Sequence, residues 1–143
     1  MKLDLPDVNV WLALTDHRHV HHDAARYYWN EQRAGKIAFC RVTMLGLLRL
    51  VTHANVMSGD PFTHEEAWNI YWTYRNLPII RLLPDAESLD TTFAALSVDP
   101  GLPHRLWTDA YLASFAISSG FRLVSFDLDF RRFSGLDLLL LKS

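Results

Sequence analysis

The chain has 143 residues, half of them hydrophobic, which suffices for one compact domain with a buried core and is too few for two ordinary domains. The formal net charge of -2 excludes a protein that coats nucleic acid through an overall positive charge. A single cysteine, Cys40, excludes an internal disulfide and favours a reducing compartment. We therefore expect residues 1–143 to form a single domain.

The first ten residues, MKLDLPDVNV, contain acids and a proline where a signal peptide needs an uninterrupted apolar run. Farther along, no stretch approaches the ~18 consecutive apolar residues that a membrane span requires. We therefore expect a cytoplasmic protein that does not associate with membranes.

The first half of the chain alternates short apolar runs with segments of helical character. Pro6 and Asp7 end the first run, and Gly35 ends the second helical segment. The predicted elements are a strand at 3–5, a helix at 8–14, a loop at 17–23, a helix at 24–34, a strand at 36–42 and a helix that begins at Thr43.

The second half continues the alternation. Thr63 and Glu66 form a capping-box pattern that predicts a helix start, and Pro78 ends that helix. The remaining predicted elements are a strand at 79–83, a helix from Pro84 and Asp85, a helix from Thr108 and Asp109 to Gly120, and strands at 121–126 and 136–141. This order predicts an α/β protein of three α/β/α layers, with a mostly parallel sheet of about five strands.

Acidic residues occur where predicted strands end or where a helix begins: Asp7, Asp109 and Asp127. Asp129 follows Asp127 by two residues, so in extended geometry both side chains face the same way, whereas a helical turn would move Asp129 away. Each acid alone is compatible with a helix start or a turn. Together they favour a site for a hard cation such as Mg²⁺, because the carboxyl ends of parallel strands meet at one edge of a sheet.

Two aromatic features accompany the acids. The predicted helix after Thr63 has too many large aromatic side chains for all of them to be buried along one face. We therefore expect some of them to lie on a surface that contacts a partner. Its rings are those of Trp68, Tyr71, Trp72 and Tyr74. Trp107, two residues before Asp109, is expected mainly to pack in the core.

Three segments in this order resemble PIN domains, specifically the VapC-type ribonuclease toxins of type II toxin–antitoxin pairs. They are DVNVWLAL from Asp7, WTDAYLASFA from Trp107 and LVSFDLDF from Leu123, and the resemblance covers essentially the whole chain. It implies a metal-dependent endoribonuclease that uses Mg²⁺ or Mn²⁺ and cuts single-stranded or loop RNA to leave a 5′-phosphate. It also implies a cognate VapB-type antitoxin and a homodimer.

The resemblance assigns roles to individual residues. Asp7, Asp109 and Asp127 take the catalytic, metal-binding positions, with Asn9, Ser125 and Asp129 as supporting polar residues around the pocket. Asn9 is equally compatible with a residue that only faces solvent. Arg49 and Arg105 are candidates to hold the RNA backbone, although solvated surface arginines explain them as well.

One position departs from the family pattern. The family commonly has a glutamate in a Thr-x-x-Glu setting after the second strand, whereas here Thr43 is followed by Gly46. The missing acid implies weaker metal binding, a transfer of its role to Asp129, or an inactive domain that only binds a partner. The Thr43 hydroxyl is a candidate substrate contact, and a helix cap is its alternative role.

A phosphatase-like domain of the haloacid dehalogenase or receiver kind is a rival interpretation, because such domains also place acids and Mg²⁺ at strand ends. Both classes need a lysine near the site. The lysines of this chain are Lys2, Lys36 and Lys142, and none of them is well placed.

Overall fold

A parallel sheet of five strands organises the computed structural model of the chain, which describes residues 2–143. The strands are β1 (Leu3–Pro6), β2 (Lys36–Phe39), β3 (Ile80–Leu82), β4 (Arg122–Ser125) and β5 (Leu138–Leu140). Their spatial order is β3-β2-β1-β4-β5, and each neighbouring pair is parallel. The α-helices are α1 (Val8–Thr15), α2 (His22–Tyr27), α3 (Arg41–Val51), α4 (His64–Arg75), α5 (Leu89–Ser97) and α6 (Trp107–Ser119).

Both faces of this sheet are covered by helices. Successive residues of β2 point to opposite sides, so Ile37 and Phe39 pack with residues of α1, α3 and α4, while Ala38 packs with residues of α5 and α6. Burial on both faces explains why Ile37, Ala38 and Phe39 are consecutive apolar residues that do not alternate with polar ones. The predicted three-layer α/β/α fold is therefore confirmed.

The centre of the sheet is fixed by a buried ion pair between neighbouring strands. Asp4 on β1 is fully buried and receives two hydrogen bonds from Arg122 on β4, at 2.8 and 2.9 Å. The Tyr28 hydroxyl and the Ala34 N–H donate to the same carboxylate at 2.6 and 2.9 Å. This network connects the π-helical segment Tyr28–Gln32, which extends α2, to the amino-terminal ends of β1 and β4. The predicted site acids lie at the opposite, carboxyl-terminal ends of these strands.

Several element boundaries differ from the sequence prediction by one to a few residues, and those before α3 and α5 involve side-chain hydrogen bonds. The second strand ends at Phe39, and α3 begins at Arg41 with Cys40 as its N-cap, because Thr43 closes a capping box by accepting the Cys40 N–H at 3.1 Å. The helix expected from Asp85 begins only at Leu89. The Asp85 carboxylate instead accepts a hydrogen bond from the Tyr111 hydroxyl at 2.8 Å.

Within residues 2–143, no helix combines the length and the hydrophobicity needed to cross a membrane.

Candidate active site

The carboxyl ends of β1 and β4 present two of the predicted acids. Asp7 follows β1 and caps α1, with its Oδ1 accepting the Val8 N–H at 2.7 Å. Asp127 follows β4 and caps the 3-10 segment Leu128–Arg132, with its Oδ1 accepting the Asp129 N–H at 2.9 Å. Because β1 and β4 are adjacent and parallel, both caps lie at the same edge of the sheet.

The Ser125 hydroxyl connects these two caps. It donates to Asp7 Oδ2 at 3.0 Å and accepts the Asp127 N–H at 3.0 Å and the Asn9 side-chain amide at 3.4 Å. Ser125 is fully buried. The Asn9 Oδ1 is also buried and has no hydrogen-bond partner among residues 2–143, which leaves an unpaired acceptor beside Asp7. Buried polar atoms in folded proteins normally have a hydrogen-bond partner.

Three carboxylates converge at this edge. Asp109, in the first turn of α6, Asp127 and Asp129 each offer an oxygen that lies within 4.8 Å of the other two. Asp129 stays in the cluster although the turn after Asp127 is 3-10 helical, because the Asp127 carboxylate holds the Asp129 N–H. Asp7 adjoins the cluster through Ser125 and through its charge, which acts on Asp109.

Burial, with a further contribution from the clustered charges, raises the pKa of two of the acids. Burial raises the pKa of Asp7 to about 6, against the lowering effect of its hydrogen bonds from Ser125 and Val8. Burial, followed by the charges of Asp7, Asp127 and Asp129, raises the pKa of Asp109 to about 7. A divalent cation would relieve this repulsion, and an all-carboxylate donor set is the kind that Mg²⁺ and Mn²⁺ prefer. The residues therefore fit a hard divalent metal.

Arg105 is paired with one of the clustered acids. Its Nη1 donates to Asp129 Oδ2 at 2.6 Å, and this hydrogen bond holds the pKa of Asp129 below its usual value. The sequence indicated an RNA contact for Arg105 and a metal ligand for Asp129. It gave no sign that the two bind each other, because they lie 24 residues apart.

A cleft of about 470 Å³ leads from Asp7 along the face of α3. Its polar lining comes from Asp7, Thr43, Arg49, His53 and Thr108. The Thr43 hydroxyl accepts the Cys40 N–H and donates to the Cys40 carbonyl, so both of its hydrogen-bonding functions serve the start of α3. Arg49 lines the cleft one turn beyond Gly46, whereas His53 and Thr108 were not singled out from the sequence.

Gly46 is tightly packed against α1. A Cβ atom at this position would lie 2.9 Å from Val8 Cγ2 and 3.3 Å from Val8 Cβ. No side chain fits there unless Val8 moves. The departure at Gly46 is therefore coupled to the identity of residue 8, a link that the sequence pattern did not reveal.

Trp107 does not pack in the core, contrary to the expectation from sequence. It is 49% exposed, and its ring meets Phe93 edge-on with 5.9 Å between centroids. Trp107 opens α6 two residues before Asp109, so an indole face is available to solvent close to the acids.

The sequence pattern of the PIN domain family matches residues 5–136 of this chain. The chain belongs to the PIN-domain family. The family predicted from the three sequence segments is thereby confirmed, and the acids from Asp7 to Asp129 all lie inside the matched region.

Relatives of this PIN domain carry the VapC name. Ribonuclease VapC41 of Mycobacterium tuberculosis is 39% identical over 142 residues, a match that covers 96% of this chain and 97% of the relative. Ribonuclease VapC29 of the same organism is 32% identical over 123 residues, covering 86% of this chain and 84% of the relative.

Solved structures show the same fold. The Mycobacterium tuberculosis toxin VapC20, described as cleaving the sarcin-ricin loop, superposes with a TM-score of 0.71 at 16% identity and covers 94% of this chain and 97% of its own. The toxin–antitoxin complex VapBC2 of Rickettsia felis, crystallised with a promoter DNA fragment, contains a chain that superposes with a TM-score of 0.68 at 17% identity, covering 98% of this chain and 99% of its own. At such identities the likeness establishes the fold of this PIN domain.

Proposed function

We propose that this PIN domain is a metal-dependent endoribonuclease and the toxin of a type II toxin–antitoxin pair. The observation that supports it most strongly is the convergence of the Asp109, Asp127 and Asp129 carboxylates within 4.8 Å, beside the buried Asp7. A chain that is 39% identical to a ribonuclease over 96% of its length supports RNA as the substrate.

In this proposal, Asp109, Asp127 and Asp129 hold Mg²⁺ or Mn²⁺ through their carboxylate oxygens. When bound, such an ion lowers the pKa of a coordinated water and stabilises negative charge on the phosphoryl oxygens. Asp7 faces the same pocket, with both of its oxygens fixed by hydrogen bonds from Val8 and Ser125. The chain then needs no nucleophile of its own, since its acids only have to hold and orient the reacting groups.

The polar residues around the acids have supporting roles. The Ser125 hydroxyl holds Asp7 and Asp127 next to each other, because it donates to the Asp7 carboxylate and accepts the Asp127 N–H. Asn9 donates to the same hydroxyl and so helps to fix its position. Arg49, in the cleft, and Arg105, at the rim of the acid cluster, supply positive charge for the RNA backbone. Thr43 contributes by fixing the start of α3, whose face forms a wall of the cleft.

A specific observation favours a second function. The position at which the family commonly carries its glutamate is closed by Val8 in this chain, which leaves α3 without an acid at Gly46. A PIN domain that binds its partner but does not cut RNA would be consistent with that loss. In the nuclease proposal, Asp129 supplies the carboxylate that Gly46 lacks.

Cleavage of a labelled single-stranded RNA by the purified full chain, without a partner protein, separates the two functions. We expect cleavage with Mn²⁺ or Mg²⁺ that leaves a 5′-phosphate, no cleavage with EDTA, and loss of cleavage in Asp109→Asn. Asp90→Asn, which changes an exposed acid on α5, serves as the matched control and retains activity.

Two outcomes would contradict the nuclease proposal in different ways. Cleavage that persists in EDTA and in Asp109→Asn would refute the metal mechanism. A folded chain that cuts no RNA under any of these conditions would favour the binding module.

The proposed partners are a VapB-type antitoxin and a second copy of this chain, in the cytoplasm. Two structural neighbours come from VapBC complexes, of Rickettsia felis and of nontypeable Haemophilus influenzae. Helix α4 offers an exposed aromatic pair for such a contact. Trp68 and Trp72 are 42% and 50% exposed and stack on each other at 6.1 Å. Light scattering of the chain alone, and then with a co-expressed VapB-type protein, measures both associations.

A further inference from the structure

Arg105 is paired with a carboxylate that the proposed metal site would use. Its guanidinium donates to Asp129 Oδ2 at 2.6 Å, a short charge-assisted hydrogen bond. Asp129 is at the same time one of the three acids whose oxygens converge within 4.8 Å. One member of the cluster is thus already paired with a cation that belongs to the chain.

The position of Arg105 in the fold allows this pair to open. Arg105 lies in the 3-10 turn His104–Leu106, directly before α6, so its backbone is anchored next to the acid-bearing helix. Its side chain is 66% exposed and that of Asp129 is 36% exposed. The guanidinium can therefore leave the carboxylate by side-chain rotation, without disturbing the core.

Arg105 is also the counter-charge of the whole cluster. Its positive charge interacts with Asp109 and Asp127 as well as with Asp129. Without a metal, this charge offsets part of the repulsion among the carboxylates. A divalent ion at the same carboxylates would take over that role and would repel the guanidinium.

We propose that Arg105 and the divalent metal compete for Asp129, so that the complete metal site forms only when the guanidinium leaves this carboxylate. This inference rests on the proposed function, because it requires a metal at the acid cluster. It makes Arg105 a positioning residue that weakens metal binding while it is paired. Once displaced, its guanidinium is free to meet the RNA backbone.

Mn²⁺ affinity of the full chain tests the competition without any measurement of cleavage. Isothermal titration at fixed pH and ionic strength would compare the wild type with Arg105→Gln. We expect Arg105→Gln to bind Mn²⁺ about two- to fivefold more tightly, the range that corresponds to an exposed ion pair. Mn²⁺ should accordingly raise the melting temperature of Arg105→Gln more than that of the wild type.

Arg132→Gln is the matched control, because it removes the same charge from the same neighbourhood. Arg132 acts on Asp129 through its charge and makes no hydrogen bond to it among residues 2–143. We expect a smaller gain in Mn²⁺ affinity in this variant. An equal gain in both variants, or none in Arg105→Gln, would overturn the competition while leaving the metal site intact.

Nuclear magnetic resonance of the arginine side chains provides a second readout. Addition of Mg²⁺ should move the Arg105 Nη–H signal, assigned with the Arg105→Gln variant, towards the position of a freely solvated arginine. An Arg105 signal that does not change when Mg²⁺ saturates the protein would overturn the inference. Failure of the wild type to bind either ion would refute the proposed metal site and this inference together.

Discussion

The stability of a Gly46→Ala variant tests whether Val8 leaves no room for a side chain at the position where the family commonly has an acid. The added Cβ would lie 2.9 Å from Val8 Cγ2 and 3.3 Å from Val8 Cβ. Val8 is β-branched and is the first residue of α1, so a helical backbone restricts its χ1 and its Cβ cannot rotate away. The contact is relieved only by a shift of α1 against α3.

Two opposing effects set the size of the change. Alanine in place of glycine inside a helix stabilises it by about 1 kcal/mol. Overpacking of a close contact costs about 1–3 kcal/mol. We therefore expect Gly46→Ala to change the free energy of unfolding by between about 0 and 2 kcal/mol in the destabilising direction. In a Val8→Ala background the 2.9 Å contact is absent and only the 3.3 Å contact between the two Cβ atoms remains, so the same substitution should be neutral or stabilise by up to about 1 kcal/mol.

Urea denaturation followed by tryptophan fluorescence of the wild type, both single variants and the double variant yields the coupling energy. The buried Trp11, on the same helix as Val8, reports on this region. Equal stabilisation by Gly46→Ala in both backgrounds would refute the packing argument. By the same reasoning, Gly46→Glu should improve Mn²⁺ affinity only when Val8 is also alanine.

Three further substitutions probe the charges and the hydrogen bonds around the site. A carboxyl whose pKa is raised in the folded state stabilises the fold below its ordinary value of 3.8 and loses that contribution as the pH rises through about 7. Asp109→Asn should thus raise the free energy of unfolding of the metal-free chain by roughly 1–2 kcal/mol at pH 8, after allowance for solvent screening, and should not raise it at pH 4. Urea denaturation measures both, and an equal effect at pH 4 and pH 8 would contradict this reasoning. Ser125→Ala should lower the free energy of unfolding by about 1–3 kcal/mol, because it removes a hydroxyl that hydrogen-bonds to the buried Asp7. It should also raise the pKa of Asp7 further and shift the pH dependence of Mn²⁺ binding to higher pH, and an unchanged pH profile would refute that role. Arg122→Ala should lower the free energy of unfolding, measured by urea denaturation, by about 3 kcal/mol, because it removes the two hydrogen bonds to the buried Asp4 carboxylate. A decrease below about 1 kcal/mol would argue against this.

The sequence predicted the layers of the fold and the location of the acids because both depend on local patterns. Strand and helix signals alternate along the chain, and parallel strands necessarily present their carboxyl ends at one edge. The boundary errors at Cys40 and Asp85 have a common cause. In each case a side-chain hydrogen bond accompanies the shifted helix start: the Thr43 hydroxyl accepts the Cys40 N–H, and the Asp85 carboxylate accepts a hydrogen bond from the Tyr111 hydroxyl.

The contacts that change the interpretation of the site were not predictable in this way. Val8 meets Gly46, and Arg105 meets Asp129, through side chains that only the packed structure brings together. Neither pair has a spacing that a helix or a strand would reveal. The closure of position 46 by Val8 and the pairing of Arg105 with Asp129 are therefore properties of the tertiary structure.

The place of β1 at the centre of the sheet has a consequence for biosynthesis. Ser125 and Asp7, which share a hydrogen bond, are separated by 118 positions along the chain. Strand β1 leaves the ribosome long before its neighbour β4 is synthesised, so its pairing with β4 must wait until β4 has been translated. The acid cluster therefore assembles late, and a nascent chain that ends before β4 carries Asp7 without Asp127 and Asp129 to complete the pocket.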